Sequence, residues 1–154
     1  MELTFKKIDL NGFERIWDSD YNDAFVDSHK NSFKDTPESY WRPLFVKHLN
    51  LMHEVFLGDS LIGYIFLSPK EDGTAHLGYG VYKKYRGNGL SIEMCKGFMA
   101  KQLPLLDKKV MSLMGTTLED NIPSQKVLLN LNFSFHEKIH VDGISYLRFK
   151  KDLR

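Results

Sequence analysis

The residues best suited to chemistry lie in one basic, glycine-bearing stretch, Tyr82-Lys83-Lys84-Tyr85-Arg86-Gly87-Asn88-Gly89-Leu90-Ser91, which follows a strand-like run and opens a helical one. The first turn of a helix leaves backbone N–H groups without partners and carries partial positive charge. An anion placed there gains hydrogen bonds from the main chain itself. Gly87 and Gly89 let that main chain approach closely. The fragment reads equally as an ordinary strand-to-helix turn in which Lys83, Lys84 and Arg86 are solvated charges. It lacks the Gly-Lys-Ser/Thr ending of a nucleotide-triphosphate loop, and also the three glycines and downstream acid of a dinucleotide fingerprint. A second stretch, Asn121-Ile122-Pro123-Ser124, has the composition of a capped helix start, with asparagine at the cap and proline in the first turn. Cys95 reads as a small buried hydrophobe, since no sequence neighbour supplies an activating base. His136 and His140 fall on one strand face about 13 Å apart, too far to share a metal, and the remaining histidines show no ligand spacing. No metal site is predicted.

The elements that must position these residues follow from periodicity and turn chemistry. Leu3 to Leu10 reads as an edge strand, turned by Asn11-Gly12. Phe13, Ile16 and Trp17 share a helical face. Trp41, Phe45, His48 and Leu49 share another, after Pro37. Between them Asp18 to Glu38 is acidic, interleaved with Tyr21, Phe25 and Phe33, and is neither clean helix nor clean strand. Glu54 to Leu57, Ser60 to Leu67 and Thr74 to Tyr82 form an antiparallel meander through turns at Gly58-Asp59 and Pro69 to Gly73. The unbroken apolar run Leu61 to Leu67 suits a strand covered on both faces. Gly78 and Gly80 share one side of the third strand, where interior glycines mark a bulge or a close approach, and the nearby basic loop favours a ligand there. Leu90, Met94 and Phe98, with Cys95, Met99 and Leu103, give an amphipathic helix ending before Pro104. The helix returns the chain to a strand at Lys109 to Thr117, parallel to Thr74 to Tyr82. Phe133 to Ile139 and Ile144 to Phe149 make a terminal hairpin around Asp142-Gly143.

Length and composition bound the rest. A chain of 154 residues reads as one domain spanning 1–154, long enough to bury roughly 70% of its unfolded surface. Lys+Arg 21 against Asp+Glu 20 gives +1, so no bulk field directs the protein to nucleic acid. The single cysteine excludes an internal disulfide framework. The N-terminus has neither the basic nor the apolar region of a signal peptide, and no apolar run approaches the roughly 20 residues that span a bilayer. A cytoplasmic protein without membrane or nucleic-acid partners is expected.

Arg86-Gly87-Asn88-Gly89-Leu90-Ser91 resembles the pyrophosphate loop of the GNAT superfamily of acyl-CoA-dependent N-acyltransferases, Gln/Arg-x-x-Gly-x-Gly/Ala. Ser91 stands where glycine or alanine is commoner and keeps the side chain small. Asn121, Ser124, Val127, Leu128, Leu131 and Phe133 match Asn-x-x-Ser-x-x-Val-Leu-x-x-Leu-Gly-Phe. That pattern belongs to the branch resembling ribosomal-protein N-terminal and polyamine acetyltransferases. Asn132 replaces the glycine, which a left-handed asparagine accommodates. Lys83 departs from the proline common two residues after Val81. The resemblance implies an α+β fold, a central twisted mixed sheet of about seven strands flanked by about four helices. It implies acetyl-CoA as acyl donor, held by Arg86, Gly87, Asn88, Gly89, Leu90, Ser91 and Asn121, with the Val81 main chain at the thioester.

The reaction implied is acetyl transfer to an amine. A lysine-like amine is unprotonated in only about one molecule in 2,500 at pH 7, so a base must assist, and His76 or Glu119 is expected to do so. Many family members carry a tyrosine acid seven residues after the motif asparagine. Leu128 stands there, and Ser124 is the expected substitute, although it reads equally as a first-turn serine without chemistry. The acids and aromatics of Asp18 to Glu38 would suit an ammonium-bearing acceptor, small molecule or peptide, or would form a solvated face. A homodimer is compatible with this outline. The alternative from another class is a non-catalytic CoA-binding or regulatory module on the same fold, which the missing tyrosine keeps open.

Overall fold

Seven strands form one sheet in the computed structural model, which describes residues 2–9, 11–12, 51–141 and 143–153. They are β1 (Leu3–Lys7), β2 (Met52–Leu57), β3 (Ser60–Pro69), β4 (Thr74–Val81), β5 (Ser112–Leu118), β6 (Ser134–Val141) and β7 (Ile144–Asp152). Their spatial order is β1-β2-β3-β4-β5-β7-β6. All neighbours are antiparallel except β4 and β5, which the intervening helix α1 (Leu90–Gln102) makes parallel. Helix α2 (Ile122–Asn130) connects β5 to β6. The sheet is therefore mixed and the fold α+β. Two α-helices fall among the described residues. The helices expected around Phe13 to Trp17 and after Pro37 lie outside them, as does the acidic stretch Asp18 to Glu38.

The core forms where one sheet face meets the apolar side of α1. Ile65, Leu67, Ala75, Leu77 and Val81 from β3 and β4 pack with Leu90, Met94, Cys95, Phe98 and Met99 of the helix. Ile62, Ile65, Met94, Cys95 and Leu113 are fully buried. Each such side chain contributes about 1.5–3 kcal/mol relative to exposure.

Local departures from the expected boundaries have local causes. Asn11-Gly12 is helical rather than a strand-exit turn, because the Asp9 carboxylate accepts from the Gly12 N–H at 2.8 Å. β5 begins at Ser112 rather than Lys109, since Asp107 holds the preceding residues in a turn through the N–H groups of Lys109 and Val110. The pairing of β6 with β7 shifts between Phe135 and Glu137, so His136 sits in a bulge and strict alternation toward His140 is broken. Asn132 has φ 67°, the left-handed conformation that its glycine-like position requires.

Candidate active site

The site is built by a divergence of two strands. β4 and β5 pair only through Thr74–His76 and Ser112–Met114, after which they separate. Lys70 N–H bonds the Thr74 carbonyl at 2.8 Å and Tyr82 N–H bonds the Ile62 carbonyl at 2.9 Å. By antiparallel alternation, Gly78 and Gly80 direct their main-chain groups to β3, while Leu77, Tyr79 and Val81 turn theirs toward β5. Past His76 those groups face the wedge.

A cleft of about 720 Å³ lies on the helix side of the wedge, lined by Val81, Arg86, Gly87, Gly89, Leu90 and Ser91 together with Asn121 and Ser124. Gly87 and Gly89 have φ 83° and 72°, a region costly for other residues. A Cβ on either would meet nothing within 4 Å, so the glycines leave open space above the start of α1. Gly89 is the N-cap of α1, and Gly89, Leu90, Ser91 and Ile92, at the helix end where N–H groups lack intrahelical partners, line this cleft. The Arg86 Nε donates to the Val81 carbonyl at 2.9 Å, tying the loop to the end of β4. Asn88 also works within the loop, its Nδ2 donating to the Tyr85 carbonyl at 3.2 Å.

A second cleft, of about 330 Å³, opens on the opposite sheet face between Tyr64, Phe66, Ser68, His76, Met114 and Tyr146. Gly78 and Gly80 sit on this face, Gly78 lining this cleft and Gly80 the first one, and it is rings of the neighbouring strand that come close to them. A Cβ on Gly78 would overlap the Phe66 ring, and one on Gly80 would come within 2.6 Å of the Tyr64 ring. The two glycines seat cross-strand aromatic rings, and those rings line the cleft.

The two clefts share Tyr79, Leu118, Asn121 and Ser124. Asn121 caps α2, its Oδ1 accepting from the Ser124 N–H at 3.3 Å. Tyr79 approaches from β4, with its hydroxyl 3.0 Å from Ser124 Oγ and 3.4 Å from the Ser124 carbonyl. Burial raises the Tyr79 phenol above its ordinary pKa, nearby Cys95 adds to this, and the Ser124 bond opposes it. The phenol is therefore protonated at neutral pH. Tyr79 escaped the sequence reading because an aromatic at an alternating strand position looks like core; only its distance from Ser124, 45 residues on, marks it.

His76 lines the second cleft. Burial holds its pKa below 6.5, helped by Lys70 and Arg148 and opposed by Asp72. Glu119 lies elsewhere. Its carboxylate is half exposed, pairs with Lys138 at 2.8 Å and lines neither cleft. The Lys138 bond holds it below the usual glutamate value. Leu128 is buried, and a Cβ on Gly115 would come within 2.7 Å of it, so this position belongs to the core. Cys95 is fully buried in the core, which pushes its thiol up. Thr117 contributes a buried hydroxyl without a partner beside the second cleft. Among the described residues no cluster of three or more His, Cys, Asp or Glu could hold a metal, and no helix is long and apolar enough to cross a membrane.

A mixed sheet split beside a glycine-started helix defines an acyltransferase-type fold, and comparison with known proteins agrees. The acetyltransferase (GNAT) domain model matches residues 14–134, and the chain belongs to that family, which uses acetyl-CoA. A search of curated protein sequences gives no match. Among solved structures, the chain is similar to an N-acetyltransferase from Staphylococcus aureus Mu50, at 14% identity and a TM-score of 0.77 over 100% of both chains. It is similar to a ribosomal-protein-alanine N-acetyltransferase from Brucella melitensis, at 15% identity and 0.75 over 97% of this chain and 99% of that one. It is also similar to a ribosomal L7/L12 alpha-N-protein acetyltransferase in complex with coenzyme A, at 12% identity and 0.74 over 99% and 94%.

Proposed function

We propose that the protein transfers an acetyl group from acetyl-CoA to a primary amine, of a small molecule or of a protein N-terminus or lysine, by direct attack in a ternary complex. The observation that carries this is the pair of clefts on opposite sheet faces meeting at Tyr79, Asn121 and Ser124. A donor lying along one face and an acceptor entering from the other converge there, which converts a bimolecular encounter into an oriented one.

Acetyl-CoA is a substrate of this reaction and supplies the activated acyl carbon. The Gly87 and Gly89 cradle fits its diphosphate, because the first-turn N–H groups of α1 and the open space above them suit a bulky anion. Val81 and Tyr79 main-chain groups facing the wedge suit an extended amide-bearing arm, and Asn121 borders the same cleft. His76 is the base: held below 6.5, it is unprotonated at neutral pH and takes a proton from the incoming ammonium, directly or through water. Glu119, committed to Lys138, does not take this role. No metal is required. A single-domain organisation and a cytoplasmic location belong to the same proposal.

Leu128, in place of the common tyrosine, favours the second reading, a CoA-binding module without turnover. Release of free CoA thiol across an amine panel that includes peptides with free N-termini separates the two. We expect release that depends on an acceptor and falls about 10²-fold in His76→Gln, the lower range for losing a positioned base. Acetyl-CoA binding with no release for any amine would favour the module.

A further inference from the structure

The common helix tyrosine is replaced by buried Leu128, yet a tyrosine hydroxyl reaches the same helix from the sheet. The Tyr79 hydroxyl lies 3.0 Å from Ser124 Oγ and 3.4 Å from the Ser124 carbonyl. A carbonyl can only accept, so the bond to it is donated by the phenol, whereas in the shorter contact between the two hydroxyls either oxygen can be the donor. In the arrangement where the phenolic hydrogen lies on Ser124 Oγ, the serine hydroxyl accepts and its own hydrogen is free to point away. Both residues border both clefts at their junction. Resting on the acetyl-CoA reading above, we propose that Tyr79 is a positioning residue for Ser124: it holds Ser124 Oγ so that the serine O–H donates to the sulfur leaving as CoA.

The balance is as follows. The unprotonated amine bonds to the acyl carbon while the C–S bond breaks and its electron pair stays on sulfur. His76 holds the proton taken from the ammonium beforehand, the second proton, shed by nitrogen as the amide forms, leaves to solvent, and the products are an amide and a CoA thiolate. Ser124 stabilises that thiolate by a charge-assisted hydrogen bond, and Tyr79, itself protonated, keeps the donor aimed. The sheet thus positions, through β4, a donor that is carried on α2.

The test reads the thiol of bound CoA. Ultraviolet thiolate absorbance is followed against pH for CoA on wild type, Tyr79→Phe, Ser124→Ala and the double variant, with affinity from calorimetry and folding from circular dichroism. A hydrogen bond to a charged group corresponds to about one to two pKa units. We expect the bound thiol's pKa to rise by about one unit in Ser124→Ala and in Tyr79→Phe, and no further in the double variant, because the pair acts as a unit. CoA affinity stays within about threefold, and kcat falls with an unchanged KM for acetyl-CoA. An unchanged thiol pKa in folded, CoA-bound Tyr79→Phe overturns the positioning role while leaving the acetyl-CoA reading standing. Absence of CoA binding in the wild type overturns both.

Discussion

At the residue scale the site depends on what each side chain is already committed to. Arg86 is held to Val81, Asn88 to its own loop and Glu119 to Lys138, whereas Ser124 and Tyr79 meet at the junction and His76 lines the second cleft. His76 gives a signed pH prediction. Its folded pKa lies below 6.5, so the unprotonated base is present above that value and is lost as pH falls through the folded pKa. The kcat/KM profile should carry an acid limb with a midpoint below 6.5, absent from His76→Gln. A limb retained in the variant would assign it to another group. Gly80→Leu should cost about 1–3 kcal/mol in urea unfolding, because the added side chain must displace the Tyr64 ring. An unchanged midpoint would show that the ring moves freely. The loop at Gly87 and Gly89 and the start of α1 were legible in the sequence because glycine, basic residues and a helix start fall together. Tyr79 was not, since its meaning lies in a contact across 45 residues.

At the element scale the two helix starts do most of the positioning. Gly89 opens α1 from a left-handed conformation, and Asn121 closes its side chain over the first turn of α2. Asn121→Ala should lower stability by about 1 kcal/mol, the usual loss for a cap, and it should also weaken acetyl-CoA, since Asn121 borders the cleft. Thermal melting and calorimetry read these separately. A melting shift without any change in affinity would restrict Asn121 to capping. Strand identities were legible from turn chemistry at Gly58-Asp59 and Gly73, and the α2 start from Asn121 and Pro123. The start of β5 was not, because Asp107 captures residues whose composition reads as strand. The bulge at His136 depends on pairing with β7, which no local pattern specifies.

Across the whole molecule the order β1-β2-β3-β4-β5-β7-β6 places one parallel junction between two antiparallel halves, and the wedge opens at that junction. The mixed topology was legible, since a helix between two strands dictates a parallel return. The separation of β4 from β5 after three residue pairs was not, being a property of how two half-sheets twist apart. Ligand binding to the folded state alone should raise stability, by about 2.7 kcal/mol at a concentration 100 times Kd. The central claim, that the start of α1 holds the CoA diphosphate, is tested most directly by calorimetric titration of acetyl-CoA into wild type and Ser91→Glu. A glutamate in the first turn of α1 favours the helix itself while placing negative charge in the anion cradle. Wild-type binding that weakens at least tenfold in Ser91→Glu, with melting temperature kept or raised, is the predicted result. Equal affinity in the two proteins, or no binding to wild type, would contradict it.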